Sequence, residues 1–173
     1  MGVAANVAAN VAAPEAILAI DHGTSGVKCA VVGLNGEILS SHATSTGITF
    51  LPGGGAEQDP EEWWQALLTS AAAALEAAAV APEQIIAVGC SSTFSSTVAV
   101  GPSETAAGAL THLRPALTWQ DSRGAGIIRR RMKGLVNVQG YGVSRLLRWI
   151  PRTGGGPTRS GKDDIAHLLW VKE

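Results

Sequence analysis

Apolar residues cluster over 17–20 and again over 27–32, separated by Asp21-His22-Gly23-Thr24-Ser25-Gly26, a spacing that predicts two strands joined by a tight turn. Asn35-Gly36 marks a second hairpin turn, so 38–44 is expected to form a third antiparallel strand before any helix. After a glycine-rich loop at 52–55 the hydrophobic period lengthens. Asp59 is placed to cap a helix, Pro60 takes its first position, and Glu61 and Glu62 fill the first turn. Trp64, Leu67, Leu68, Ala71 and Leu75 then recur three and four apart as the expected buried stripe, ending before Pro82. The run 85–90 reads as a short central strand, and 97–100 and 116–119 as further strands around a loop at 101–115. A basic helix near 127–133, a loop holding Tyr141, a segment at 146–150, a second glycine-rich loop and a helix from about Asp163 follow. That last helix is still running at Glu173.

Composition narrows the setting. A chain of 173 residues, 46% hydrophobic and 16% charged, is long and apolar enough for one domain with a core. Thirteen basic against fourteen acidic residues leave a net charge of −1, which gives no overall field for nucleic acid. The alanine-rich stretch 71–81 is interrupted by Glu76 and is too weakly hydrophobic to sit in lipid, so no membrane partner is expected. Cys29 and Cys90 fall in apolar strand patterns and read as buried free thiols of a reducing cytoplasm. Residues 1–14 repeat Val, Ala and Asn without the basic and strongly apolar regions of a secretion signal, and are expected to be a disordered extension ahead of a domain from residue 15. Asn6 stands where a myristoyl acceptor pattern needs Ser or Thr.

The first hairpin carries the chemistry. A strand that ends on Asp21, followed by Gly23, Thr24, Ser25 and Gly26, can hold a magnesium ion through its carboxylate and phosphate oxygens through backbone N–H groups and hydroxyls. The same residues also make an ordinary hairpin turn. A Rossmann unit would start a helix directly after the glycine turn, whereas 27–32 alternates as a strand. The predicted fold class is therefore α/β of the ribonuclease H-like, actin-like ATPase type: a mixed sheet with three leading antiparallel strands and flanking helices.

Other motifs carry less. Gly156 to Lys162 nearly spells a P-loop, but Asp163 replaces the magnesium-binding hydroxyl and reads better as a helix cap. Arg129-Arg130-Arg131-Met132-Lys133 reads as a solvated helix face. His22, His42, His112 and His167 have no metal-ligand spacing with either cysteine, and His167 reads as a surface or packing residue.

Three motifs in order carry a resemblance: the Asp21-His22-Gly23-Thr24-Ser25 hairpin, Glu57-Gln58-Asp59-Pro60 followed by Trp63-Trp64, and Pro115-Ala116-Leu117-Thr118-Trp119-Gln120-Asp121-Ser122-Arg123. Together they resemble the FGGY family of carbohydrate kinases, its xylulokinase branch in particular, over about 16–173. The resemblance implies ATP and Mg²⁺ as cofactors and phosphorylation of a sugar or polyol hydroxyl. Asp21 matches the acidic residue tied to magnesium and catalysis. Gly23, Thr24 and Ser25 match the loop at the terminal phosphates, with Lys28 beside them. Trp119, Asp121 and Arg123 match the family's Trp-x-Asp-x-Arg segment at the sugar pocket, where an aromatic face beside charged donors suits a sugar. Tyr141 is similar to a substrate-side tyrosine. Phe94 and Ser95 stand where relatives carry a long polar or charged pair, which shifts the expected sugar away from D-xylulose.

The family's catalytic base and adenosine site fall beyond Glu173. The chain is accordingly expected to be the front part of an FGGY N-terminal domain, inactive alone, with a homodimer as its candidate assembly. The competing readings are an actin-like or chaperone-type nucleotide switch, which shares the acidic hairpin, and a bare sugar-binding module.

Overall fold

The computed structural model describes residues 15–173, so the expected extension at 1–14 lies outside the described residues. The first alternating runs become β1 (Ala16–Gly23) and β2 (Gly26–Gly33), antiparallel around a two-residue turn, Thr24-Ser25. Gly26 has φ +155°, and a Cβ there would collide with the Thr44 carbonyl, so this glycine is required by a neighbouring strand rather than by a ligand. That neighbour is β3 (Ile38–Ser45), antiparallel to β2. In the turn before it Gly36 takes φ +85°, and the Glu37 N–H donates to Asn35 Oδ1 at 3.1 Å, as the Asn-Gly pair predicts.

A small hairpin, β4 (Thr49–Leu51) and β5 (Gly55–Gln58), leads into α1 (Pro60–Ala78). Asp59 caps α1 by accepting from the Glu61 N–H at 2.9 Å, a contact worth about 1 kcal/mol. The helix packs on β1, β2 and β3 through Ala66, Ser70 and Ala74, with Leu67, Ala71 and Leu75 flanking that row. Small side chains allow the close approach, and Ser70 Oγ reaches both the Val27 carbonyl (3.2 Å) and Thr44 Oγ1 (2.8 Å). Trp64 and Leu68 were expected in this stripe but are 54% and 44% exposed, because the row of small residues sets the contact face and turns them away from it.

The chain then pairs β6 (Ile85–Ser92) parallel to β1, giving the order β3-β2-β1-β6. Three leading antiparallel strands, a helix and a parallel strand on the far side of β1 form the ribonuclease H-like arrangement. The expected central position of this strand is corrected: among the described residues β6 is an edge strand, with Ile86, Val88 and Cys90 exposed. Cys90 is thus not a buried thiol, whereas Cys29 is.

The second half is built from short pieces. The loop at 101–115 contains a hairpin, β7 (Val100–Pro102) and β8 (Leu110–His112). Of the expected strands, 97–100 reduces to a bridge from Thr97 to Leu117 and the first residue of β7, and 116–119 to β9 (Ala116–Leu117), which pairs with β5. Next come α2 (Ala125–Met132), the two-residue strands β10 (Asn137–Val138) and β11 (Tyr141–Gly142), α3 (Val143–Thr153) and α4 (Asp164–Lys172). Ile128, Met132 and Ala166 centre a second apolar cluster here, separate from the sheet core. Asp163 caps α4 by accepting from the Ala166 N–H at 2.9 Å, the role preferred over a P-loop. Among the described residues, no helix is long and apolar enough to cross a membrane.

Candidate functional site

Strand alternation places Asp21 on the sheet face opposite α1, since Ile20 points into the core beneath that helix. The parallel register sets Ser91 beside it, and the Ser91 hydroxyl donates to Asp21 Oδ1 at 3.1 Å. Lys28, its antiparallel partner, holds Nζ 3.6 Å from Oδ2. With side chains 67% and 53% exposed, this pair contributes at most about 1 kcal/mol and yields readily to a ligand. Among the described residues there is no cluster of three or more metal-ligating side chains. A single accessible carboxylate is nevertheless the donor set magnesium commonly takes from protein when phosphates supply the rest.

The turn beside Asp21 is held from two directions. Gln58, buried at the end of β5, donates its amide to the Thr24 carbonyl at 3.1 Å and the Gly47 carbonyl at 2.8 Å. Trp119 Nε1 donates to Thr24 Oγ1 at 3.0 Å, which brings the indole against the hairpin turn, 95 residues apart in sequence. The indole remains 41% exposed, and Lys162 Nζ, the lysine of the rejected P-loop pattern, lies 6.0 Å from its ring centroid.

Asp121 and Arg123, which the motif implies at a sugar pocket, bond to each other and to the chain around them. Asp121 has no exposed surface: its carboxylate accepts from the Ala56 N–H (3.0 Å), the Arg123 N–H (3.0 Å), Arg123 Nε (2.9 Å) and Arg123 Nη2 (2.6 Å). Burial would raise its pKa, but the hydrogen bonds from Arg123 and Ala56 outweigh burial and hold the carboxyl below the usual range. Arg123 also donates to Glu57 at 2.6 Å, and burial, which would lower its pKa, is outweighed by both carboxylates. Arg114 joins Glu57 at 2.9 Å, and the guanidiniums of Arg114 and Arg123 lie over the Trp170 ring at 4.4 and 3.8 Å. These are anchors of the loop carrying Trp119, with Asp121 wholly occupied. Position-by-position reading missed Glu57, Gln58 and Trp170. The available signal was Glu57-Gln58 placed in a strand, where a buried charge needs a partner.

His167 is a packing residue at full burial. Its ring bridges Thr97 Oγ1 and the Asp121 carbonyl, both at 3.2 Å. With the carbonyl able only to accept, Nε2 carries a proton.

Past the end of β6, the Thr93 N–H donates to the His22 carbonyl at 2.9 Å, and Phe94 then projects 84% exposed. Ser95 is 7% exposed in a left-handed conformation, φ 54°, with no hydrogen-bond partner for its hydroxyl among the described residues. Phe94 thus faces outward and Ser95 inward. Tyr141 sits in β11, packs on the second cluster, and donates its hydroxyl to the Pro157 carbonyl at 2.8 Å; in this arrangement it is a packing residue.

The chain is similar in fold to solved sugar and polyol kinases. It matches gluconate kinase from Lactobacillus acidophilus with a TM-score of 0.70 at 21% identity, over 93% of this chain and 29% of that one. Xylulose kinase from the same organism, in a ligand-bound structure, gives 0.69 at 21% over 92% and 28%. Plasmodium falciparum glycerol kinase, solved with ADP, gives 0.56 at 18% over 81% and 29%. The chain thus spans less than a third of the length of these structures. No curated protein matches it significantly. The sequence pattern described as the FGGY family of carbohydrate kinases, N-terminal domain, matches residues 16–150, and the chain belongs to that family.

Proposed function

We propose that this chain supplies the phosphate turn and one wall of the sugar pocket in an ATP-dependent kinase acting on a hydroxyl of a pentulose-like sugar or polyol. The observation that carries this reading is the Trp119 to Thr24 hydrogen bond, which joins an exposed aromatic face to a turn flanked by a half-exposed carboxylate. Backbone N–H groups and hydroxyls of Gly23, Thr24 and Ser25 hold phosphate oxygens. Asp21, oriented by Ser91, would hold magnesium, which when bound neutralises charge on the transferring phosphoryl group. Lys28 leaves its weak pair with Asp21 to meet a phosphate oxygen. Trp119 offers its ring to the apolar face of the sugar, and Phe94 offers a second exposed aromatic surface. The exposed free thiol of Cys90 suits a reducing cytoplasm. The catalytic base and the adenosine contact are assigned to no residue of this chain.

Asp21→Asn tests the reading in the kinase that contains this chain. Turnover should fall by on the order of 10²-fold or more, while sugar binding, followed by tryptophan fluorescence, stays within about twofold. An equal loss of sugar affinity would make Asp21 structural.

A further inference from the structure

We infer that a second anion site, separate from the hairpin, lies between α2 and α3 and takes a small molecule bearing two or more linked phosphoryl groups. A cavity of about 550 Å³ opens there. Arg130 and Arg131 line it from α2, and Arg145, Arg148 and Arg152 line it from α3. The last three recur at i, i+3 and i+7, which puts them on one helical face. Buried Met132 and the half-buried Trp149 complete the wall.

The basic run of α2 by itself is a solvated helix face. What changes its meaning is the second helix, which turns three more guanidiniums toward the same space. Among the described residues, only one carboxylate answers these five cations: Glu173 pairs with Arg130 at 3.2 Å. Arg152 donates to the Arg148 carbonyl at 2.6 Å, and Arg131 and Arg145 make no ion pair among the described residues. Such convergence is repulsive until an anion enters.

Three features select the ligand. All five cations are arginine, whose planar fork matches phosphate oxygens in pairs. The volume lies within the range of small-molecule sites, whereas a nucleic acid needs an extended basic track and this chain has a net charge of −1. Carboxylates of an acidic peptide are spread along a chain, while a di- or triphosphate concentrates its charge in one cavity.

The test uses the 173-residue chain in metal-free buffer and inorganic tripolyphosphate, with binding followed by calorimetry. Tripolyphosphate should bind at least about tenfold more tightly than orthophosphate, and both R148E/R152E on α3 and R131E on α2 should weaken it by about tenfold or more. Lys28→Ala should leave it unchanged, which separates this site from the hairpin turn. In the wild-type chain, tripolyphosphate should slow phenylglyoxal modification of Arg131 and Arg148, a readout that does not depend on any variant folding. The inference is overturned if tripolyphosphate has no advantage over orthophosphate, if the arginine variants bind normally, if Lys28→Ala abolishes binding, or if phenylglyoxal reacts at equal rates with and without it. Tighter, arginine-dependent binding of an acidic peptide or an oligonucleotide would overturn it as well.

Discussion

Replacing Asp121 by Asn removes one charge and leaves the shape, so its cost isolates the buried network. The carboxylate accepts four hydrogen bonds from Ala56 and Arg123 and has no exposed surface. An amide keeps one oxygen and turns an NH₂ toward either the Arg123 N–H or the donors of Ala56 and Arg123 gathered at the other oxygen. Breaking a buried charge pair from one side costs roughly 3–5 kcal/mol, and the lower half applies here because Glu57 still holds Arg123. A loss of about 3–4 kcal/mol is a large part of a domain's 5–15 kcal/mol, and at 2–4 °C per kcal/mol it lowers Tm by on the order of 10 °C. Thermal unfolding of the purified chain, followed by circular dichroism, measures it. A drop of less than about 2 °C would refute the claim that Asp121 anchors this loop.

The remaining expectations use the same geometry. Asp121 has a folded-state pKa below its unfolded value of about 3.9, so its stabilisation is complete above that value and lost as pH falls through the lowered one; an acid titration of Tm should show this limb, and Asp121→Asn should flatten it. One thiol should react quickly with a disulfide reagent and one only on unfolding: Cys90 is exposed, while Cys29 is buried and its pKa is pushed up by that burial and by Cys90, so two fast thiols would contradict the packing of α1 on β2. If this chain serves a sugar kinase as proposed, Phe94→Ala in that kinase should alter kcat/KM across a panel of pentuloses, hexuloses and polyols, with the best substrate losing about tenfold; exclusive use of D-xylulose that ignores the change would refute a pocket role for Phe94.

The first half of the fold was legible because local signals agreed: alternation in β1 and β2, Asn35-Gly36 before β3, and Asp59-Pro60 at the start of α1 each name their element without help from distant residues. Misreadings arose where burial depends on partners. Trp64 and Leu68 are large and correctly spaced, yet Ala66, Ser70 and Ala74 make the contact because β2 and β3 approach too closely for larger groups. The sequence 85–90 has the continuous apolar character of an interior parallel strand, and that character describes which faces can be covered, not where the strand sits among the described residues. The segments 97–100 and 116–119 shrank because their pairing is with each other and with β5 over only a few residues, which periodicity cannot register. Motif position likewise named Trp119, Asp121 and Arg123 but not the packing around them, since Asp121, Arg123, Glu57 and Trp170 meet only through tertiary structure.

Strand β5 ties the two sides of the candidate site together. Its four residues are all buried, and three successive positions each hold a different part. The Ala56 N–H donates to Asp121 and the Ala56 carbonyl accepts from the Thr118 N–H, fixing the chain on either side of Trp119. Glu57 gathers Arg114 and Arg123, and Gln58 holds the Thr24 carbonyl of the first hairpin turn. Because neighbouring strand residues point to opposite faces, a slip of β5 by one residue that put Glu57 in the place of Gln58 would leave Ala56 among the arginines. The glutamate would then meet the Thr24 and Gly47 carbonyls with no proton to offer, and the arginines would lose their countercharge. Register, buried charge and the distance between indole and turn are therefore one constraint, and the Trp119 to Thr24 hydrogen bond is its consequence at the surface.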